Sequence, residues 1–120
     1  IEEQEIQEEV NIFEADDPTY KKIDYAVFFN EKIEVNQVSK LYYEIFKRLF
    51  ELQPETFLET DLGKKINLSK KTEGLLSPIS MGNNYYIESN YGNATKFDKI
   101  KAALTVFGFE DELFIKYSTN

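Results

Sequence analysis

Val38, Leu41, Tyr42, Ile45, Phe46, Leu49 and Phe50 recur at intervals of three and four, the spacing that lines side chains along one face of an α-helix. No other part of the chain restricts the fold as strongly. Asn36 stands ahead of the run as a candidate N-cap. The pattern continues to about Gln53, and Pro54 then ends this helix and suits the first position of the next. Phe57 and Leu58 are expected on the inner face of that second helix, which Gly63 closes. A stripe of seven large apolar side chains must be covered, so the rest of the chain has to supply the cover.

Residues 23–29 are rich in β-formers, residues 32–35 alternate, and Asn30-Glu31 between them predicts a hairpin. Residues 64–71 read as a basic turn or short strand. Residues 75–84, with Pro78 and Gly82, read mostly as loop. A strand is predicted over residues 84–89 and a turn over residues 90–92. Asn93 is then placed to cap an amphipathic helix through Phe97, Ile100, Leu104 and Phe107, with Gly108 as its stop. Residues 113–117 form a closing strand. The order ββααβαβ predicts a small α+β domain, an antiparallel sheet with helices packed on one face.

With 120 residues the chain suffices for one domain. It has no cysteine, which excludes disulfides and thiolate metal sites, and no histidine, which removes the usual general base and the Ser-His and Cys-His pairs. A metal-dependent nuclease with lysine two residues after a strand carboxylate is excluded, because no Asp or Glu has Lys at that position. Glu110, Asp111 and Glu112 read as a solvated turn, since three adjacent carboxylates do not converge on one ion. Neither GxGxxG nor GxxxxGK[ST] occurs. The chain is therefore expected to be no enzyme and to carry no cofactor or metal.

The net charge of −8 is unevenly spread. Residues 1–17 hold eight acids and no base, and the other 103 residues are neutral, with 14 of each. Residues 63–101 carry seven lysines against Glu73, Glu88 and Asp98, a net of +4. Residues 1–17 accordingly read as an acidic linker or tail and residues 18–120 as the domain, the C-terminal part of a longer parent chain. No apolar run approaches the roughly 18 residues of a membrane span, and no signal segment is present. A cytoplasmic location without membrane attachment is expected.

Two groups of residues suit a polyanion. Asn90, Tyr91, Gly92, Asn93, Ala94, Thr95 and Lys96 form a polar turn leading into a helix. A helix start offers free amide donors, and Lys96 opposes the helix dipole there unless an anion is bound. Asparagine can also pair with an adenine edge. The same residues equally satisfy turn and cap geometry. Lys64, Lys65, Lys70 and Lys71 form two basic pairs that suit phosphates or, alternatively, protect a sheet edge. Lys99 and Lys101 extend this basic set, and Tyr85, Tyr86 and Tyr91 lie near it in sequence.

Residues 38–113 resemble the C-terminal DNA-binding domain of the SeqA replication-modulator family and similar C-terminal modules of bacterial restriction and defence proteins. The matching features are LYYEIFKRLFELQPETFLE, Gly63-Lys64-Lys65, Leu75-Leu76 before Pro78, the strand Tyr85-Tyr86-Ile87-Glu88-Ser89-Asn90, the turn 91–96, and KIKAALTVFGF. The resemblance places the family's strand-end asparagine on Asn90, its loop lysine on Lys96 and its basic turn on Lys64 and Lys65. Gly92 stands where the family has a second base-reading asparagine, and Thr95 where it has an arginine. The resemblance thus implies binding of double-stranded DNA without by itself carrying the family's preference for hemimethylated GATC. The expected partners are duplex DNA and other domains of the parent chain. The alternative is a protein-interaction or oligomerisation domain.

Overall fold

A computed structural model of the chain describes residues 9–118. All seven residues of the apolar stripe are buried on helix α1 (Val38–Leu52). Its cap is Gln37 rather than Asn36, in extended backbone and without a side-chain cap bond. At its far end the Gln53 N–H still reaches the Leu49 carbonyl at 3.0 Å. Pro54 then opens α2 (Pro54–Glu59) at a position where its missing N–H costs nothing. Phe57 packs inward, but Leu58 is 54% exposed: so short a helix has a single inward position, and Phe57 occupies it.

Gly63 does not close α2, which ends at Thr60, the Thr60 hydroxyl donating to the Thr56 carbonyl at 2.6 Å. Gly63 lies inside α3 (Leu62–Lys65), where a Cβ would stand 2.5 Å from the Phe57 carbonyl oxygen. Glycine is required there by close backbone approach.

The main sheet is antiparallel in the order β1-β6-β2-β3, built from β1 (Val10–Asn11), β2 (Ile23–Phe28), β3 (Glu31–Ile33) and β6 (Leu113–Tyr117). Its inner face carries buried Ala26, Phe28, Ile33, Leu113 and Ile115. The β2–β3 turn falls on Phe29 and Asn30, one residue earlier than expected. Both have positive φ, 51° and 65°, as a two-residue turn matching strand twist requires. The Phe29 ring is held edge-on between Phe28 and Phe109, 4.8 Å from each. A bulge between Ile23 and Tyr25 inserts one residue, so Ile23 and Ala26 both face inward despite their odd spacing.

Residues 78–82, expected as loop, form strand β4 (Pro78–Gly82). It pairs with β5 (Tyr85–Glu88) across a turn at Asn83 and Asn84, with φ of 54° and 64°. Proline is tolerated at the start of such an edge strand. This hairpin is a second sheet, and β4 lies against α1. Helix α4 (Asn93–Phe107) also packs on α1 through buried Phe97, Ile100, Ala103 and Leu104. Gly108 ends it with φ of 76° and an N–H directed to the Leu104 and Thr105 carbonyls. The observed order over the described residues is βββαααββαβ, an α+β fold with the extra elements β1, α3 and β4. No helix among the described residues is long and apolar enough to cross a membrane.

The linker reading of residues 1–17 needs correction where the chain is described; residues 1–8 lie outside the described part. Val10 and Asn11 pair with β6, and the Ile12 side chain is fully buried in the core. The Ile12 N–H donates to the Leu113 carbonyl at 3.1 Å. The folded unit therefore reaches back to at least Val10. Ile12→Ala is expected to cost about 2–5 kcal/mol, measured by urea denaturation; a change within about 0.5 kcal/mol would restore the linker reading. Gly63→Ala is expected to cost about 1–3 kcal/mol by forcing α3 away from α2.

Candidate nucleic-acid interface

Strand β5 ends at Glu88, whose side chain sits in the fold at 6% exposure. One carboxylate oxygen, Oε1, accepts the N–H of Leu76 at 2.7 Å. The other, Oε2, accepts those of Ser77 at 2.8 Å, Asn90 at 2.8 Å and Ser89 at 3.1 Å. Burial pushes this carboxyl up, but the four backbone donors outweigh burial and hold it below the usual range. The Glu88 carbonyl in turn accepts the Tyr42 hydroxyl at 2.7 Å. This anchors the turn that follows β5 to α1.

Tyr91 leaves the turn half-buried, its ring 6.4 Å from that of Tyr42. Its hydroxyl accepts from Asn67 Nδ2 at 3.0 Å, and the Lys99 ammonium lies 4.4 Å from its ring centroid. Lys99 Nζ also donates to the Lys65 carbonyl at 2.6 Å. Burial, with Lys65 close by, pulls the Lys99 pKa down. Lys65, Asn67, Tyr91 and Lys99 are thus brought to one place next to the exposed Asn90, with Lys64 adjacent on α3.

Gly92, not Asn93, is the N-cap of α4, which has no side-chain cap bond and no acidic residue in its first turn. The first amides of α4 therefore have no helical acceptor.

Two sequence-derived placements change. Lys96 is not a solvated loop lysine: it is 8% exposed, its Nζ lying 6.0 Å from the Tyr42 ring. Burial pulls its pKa down, and no carboxylate pairs with it among the described residues. Lys70 and Lys71 are exposed but stand at the far end of β5. Ser69 bridges to Tyr86, and Lys70 Nζ lies 5.4 Å from the Tyr85 ring. At the ~3.3 Å rise of a strand they are roughly 15 Å from Asn90.

Three residues escaped the sequence reading. Tyr20 is wholly exposed with φ of 65°, and Lys21 and Lys22 follow it. These two lysines, with Asn36, Gln37, Val38, Ser39 and Asn93, line a cleft of about 410 Å³ where the amino ends of α1 and α4 meet. Neither helix has a side-chain cap or a first-turn acid. The Asp16-Asp17 pair upstream masks this basic patch in a charge scan. In the fold those acids line a second cleft, with Pro18, Ala94 of the first turn of α4, Phe97, Asp98 and Lys101. Hydrogen bonds from Thr19, aided by Lys101 and Lys21, hold Asp17 below the usual carboxylate range.

Among the described residues no three acidic side chains gather closely enough to hold a metal ion. Comparisons of the chain with protein-family models, with curated proteins and with solved structures found no match.

Lys96→Met is expected to raise the unfolding midpoint at neutral pH, since it keeps the packed stem and removes a desolvated charge. The sign with pH follows from the depressed value. The unfolded chain holds the Lys96 proton up to about its ordinary 10.5, and the fold releases it earlier, so this contribution to stability rises as pH climbs toward that value. The wild type should therefore gain on the variant as pH rises toward 10.5, read by denaturation at each pH. A variant less stable throughout would show the ammonium to be a favourable contact.

Proposed function

We propose that the chain is a non-enzymatic module that binds double-stranded DNA with the amino end of α4 presented to a groove. The observation that carries this reading is the gathering of Lys65, Asn67 and Lys99 around Tyr91, next to exposed Asn90 and at the start of a helix whose first turn bears Asn93 and Thr95 and no acid of its own. In this reading Lys64 and Lys65 neutralise phosphates on one flank, and Lys21 and Lys22 do so on the other. The free amides of α4 take a phosphate between them. Asn90 and Asn93 have the donor and acceptor pair that matches an adenine edge. The motif resemblance to the SeqA family supports the same assignment for Asn90, Lys64 and Lys65. The loop lysine that the resemblance assigns to Lys96 is left out of this reading, because Lys96 is buried. Lys70 and Lys71 lie outside the central surface and would touch only a duplex extending along β5.

A second reading, protein interaction, is favoured by a different surface. Phe29 and Leu52 are exposed and, with Phe28, Glu31, Arg48 and Leu49, line an apolar groove of about 200 Å³.

With about four or five phosphate contacts, log affinity should fall against log salt with a slope of about −4. Lys64→Ala and Lys65→Ala should each shrink that slope by about one and weaken all duplexes alike. Asn90→Ala should cost about 1–3 kcal/mol and flatten the preference between sequences. Fluorescence anisotropy with methylated, hemimethylated and unmethylated duplexes measures both effects. If the unaltered protein binds none of them at ~50 mM salt, where phosphate contacts are strong, the DNA reading is lost to the interaction reading.

A further inference from the structure

We infer that Glu88 is the positioning residue of this interface, holding Asn90 in place and so setting which duplex is preferred; this rests on the DNA-binding reading. Glu88 is the last residue of β5 and lies opposite Pro78, which has no N–H to give the ladder. One backbone bond continues past this pair, the Ser89 N–H donating to the Ser77 carbonyl at 3.0 Å, and beyond it the joining is done by the Glu88 carboxylate. It receives two donors from the segment entering β4, Leu76 and Ser77, and two from the segment leaving β5, Ser89 and Asn90. The Ser89 hydroxyl adds a 2.8 Å bond to the Ser77 carbonyl.

The choice of residue is informative. A buried carboxylate without a cation is costly unless fully hydrogen-bonded, and no lysine or arginine pairs with Glu88 among the described residues. A neutral side chain would close a loop at lower cost. Only a carboxylate offers two acceptor oxygens and no donor, and so can receive four N–H groups at once. A glutamine would turn its amide group toward at least one of those donors, and any bond it kept to the Asn90 N–H would lose the charge that strengthens it.

The clamp acts on a particular place. Asn90, whose N–H is gripped at 2.8 Å, has an exposed side chain. On its other side Tyr91 is fixed by Asn67 and Lys99. Glu88 is itself buried and touches no ligand. It acts through Asn90 and leaves the lysines unaffected.

A double-mutant cycle between Glu88→Gln and Asn90→Ala tests this on the whole chain. The probe is the best-bound member of a randomised pool of 20-base-pair duplexes, set against a shuffled sequence of equal composition. Wild type should prefer the selected duplex. Glu88→Gln should lower the affinity ratio by about tenfold, within the discrimination of one two-point base contact, with the salt slope unchanged. In the Asn90→Ala background the same substitution should change the ratio no further. An undiminished ratio in Glu88→Gln, or an equal fall in both backgrounds, overturns the inference while duplex binding stands. The inference also falls, with binding intact, if wild type shows no preference. Binding of no duplex at low salt overturns the DNA reading and the inference together. If Glu88→Gln does not fold, Glu88→Asp keeps the charge on a stem one methylene shorter. A folded Glu88→Asp should still lose preference with its salt slope intact, and failure of both variants to fold marks Glu88 as a folding residue only and overturns the inference.

Discussion

Seven side chains of α1 leave water when the helix is covered by α4, by β4 and by the inner face of the main sheet. At about 1.5–3 kcal/mol for each large apolar side chain, this stripe supplies roughly 10–20 kcal/mol of gross stabilisation. That is as large as the entire net stability of a typical domain, about 5–15 kcal/mol. The aromatic rings extend the stripe outward: Tyr42 meets Phe46, Phe46 and Phe50 meet Phe57, and Phe57 meets Phe107. Phe57 can reach that position only because Gly63 lets α3 pass against the Phe57 carbonyl. The placement of Lys64 and Lys65 beside Tyr91 and Lys99 is thus a consequence of how α1 is buried.

Elements with a strong period were legible in the sequence. The stripe of α1, the Gly108 stop of α4 and the strand at residues 113–117 all follow from apolar spacing and glycine geometry. Elements held by tertiary pairing were not. β1 is two residues long within an acidic stretch, and it exists because β6 offers it an edge. β4 carries Pro78 and Gly82, turn residues that an edge strand accepts at its ends. Both helix caps fall one residue from the predicted asparagines, at Gln37 and Gly92, because neither cap forms a side-chain bond and backbone direction alone decides the start.

The candidate site was partly legible for the same reason. Asn90 lies exposed in the turn, and Asn93 and Thr95 lie exposed on the first turn of α4, because polar residues at a strand end and a helix start stay in water. Lys96 misled because a lysine stem is four methylenes long and packs between helices as readily as it reaches water. Tyr20, Lys21 and Lys22 are brought to the α4 start by the fold alone, and Asp16 and Asp17 hide them in any linear charge count. The clamp on Glu88 has no sequence signature, since its four donors are backbone groups.

Charge then limits what such a surface can do. Outside residues 1–17 the chain is neutral, so attraction to a polyanion comes from a local face and is confined to within about a Debye length, ~8–10 Å at physiological salt. The most direct measurement of whether that face is the contact surface is an amide-shift titration of the isotope-labelled protein with a short duplex at low salt. The largest shifts are expected at residues 90–95, at Lys64, Lys65 and Asn67, and at Lys21 and Lys22, with Phe29 and Leu52 unmoved. Shifts centred on Phe29, Leu52 and Phe109, or none at all, would contradict this assignment.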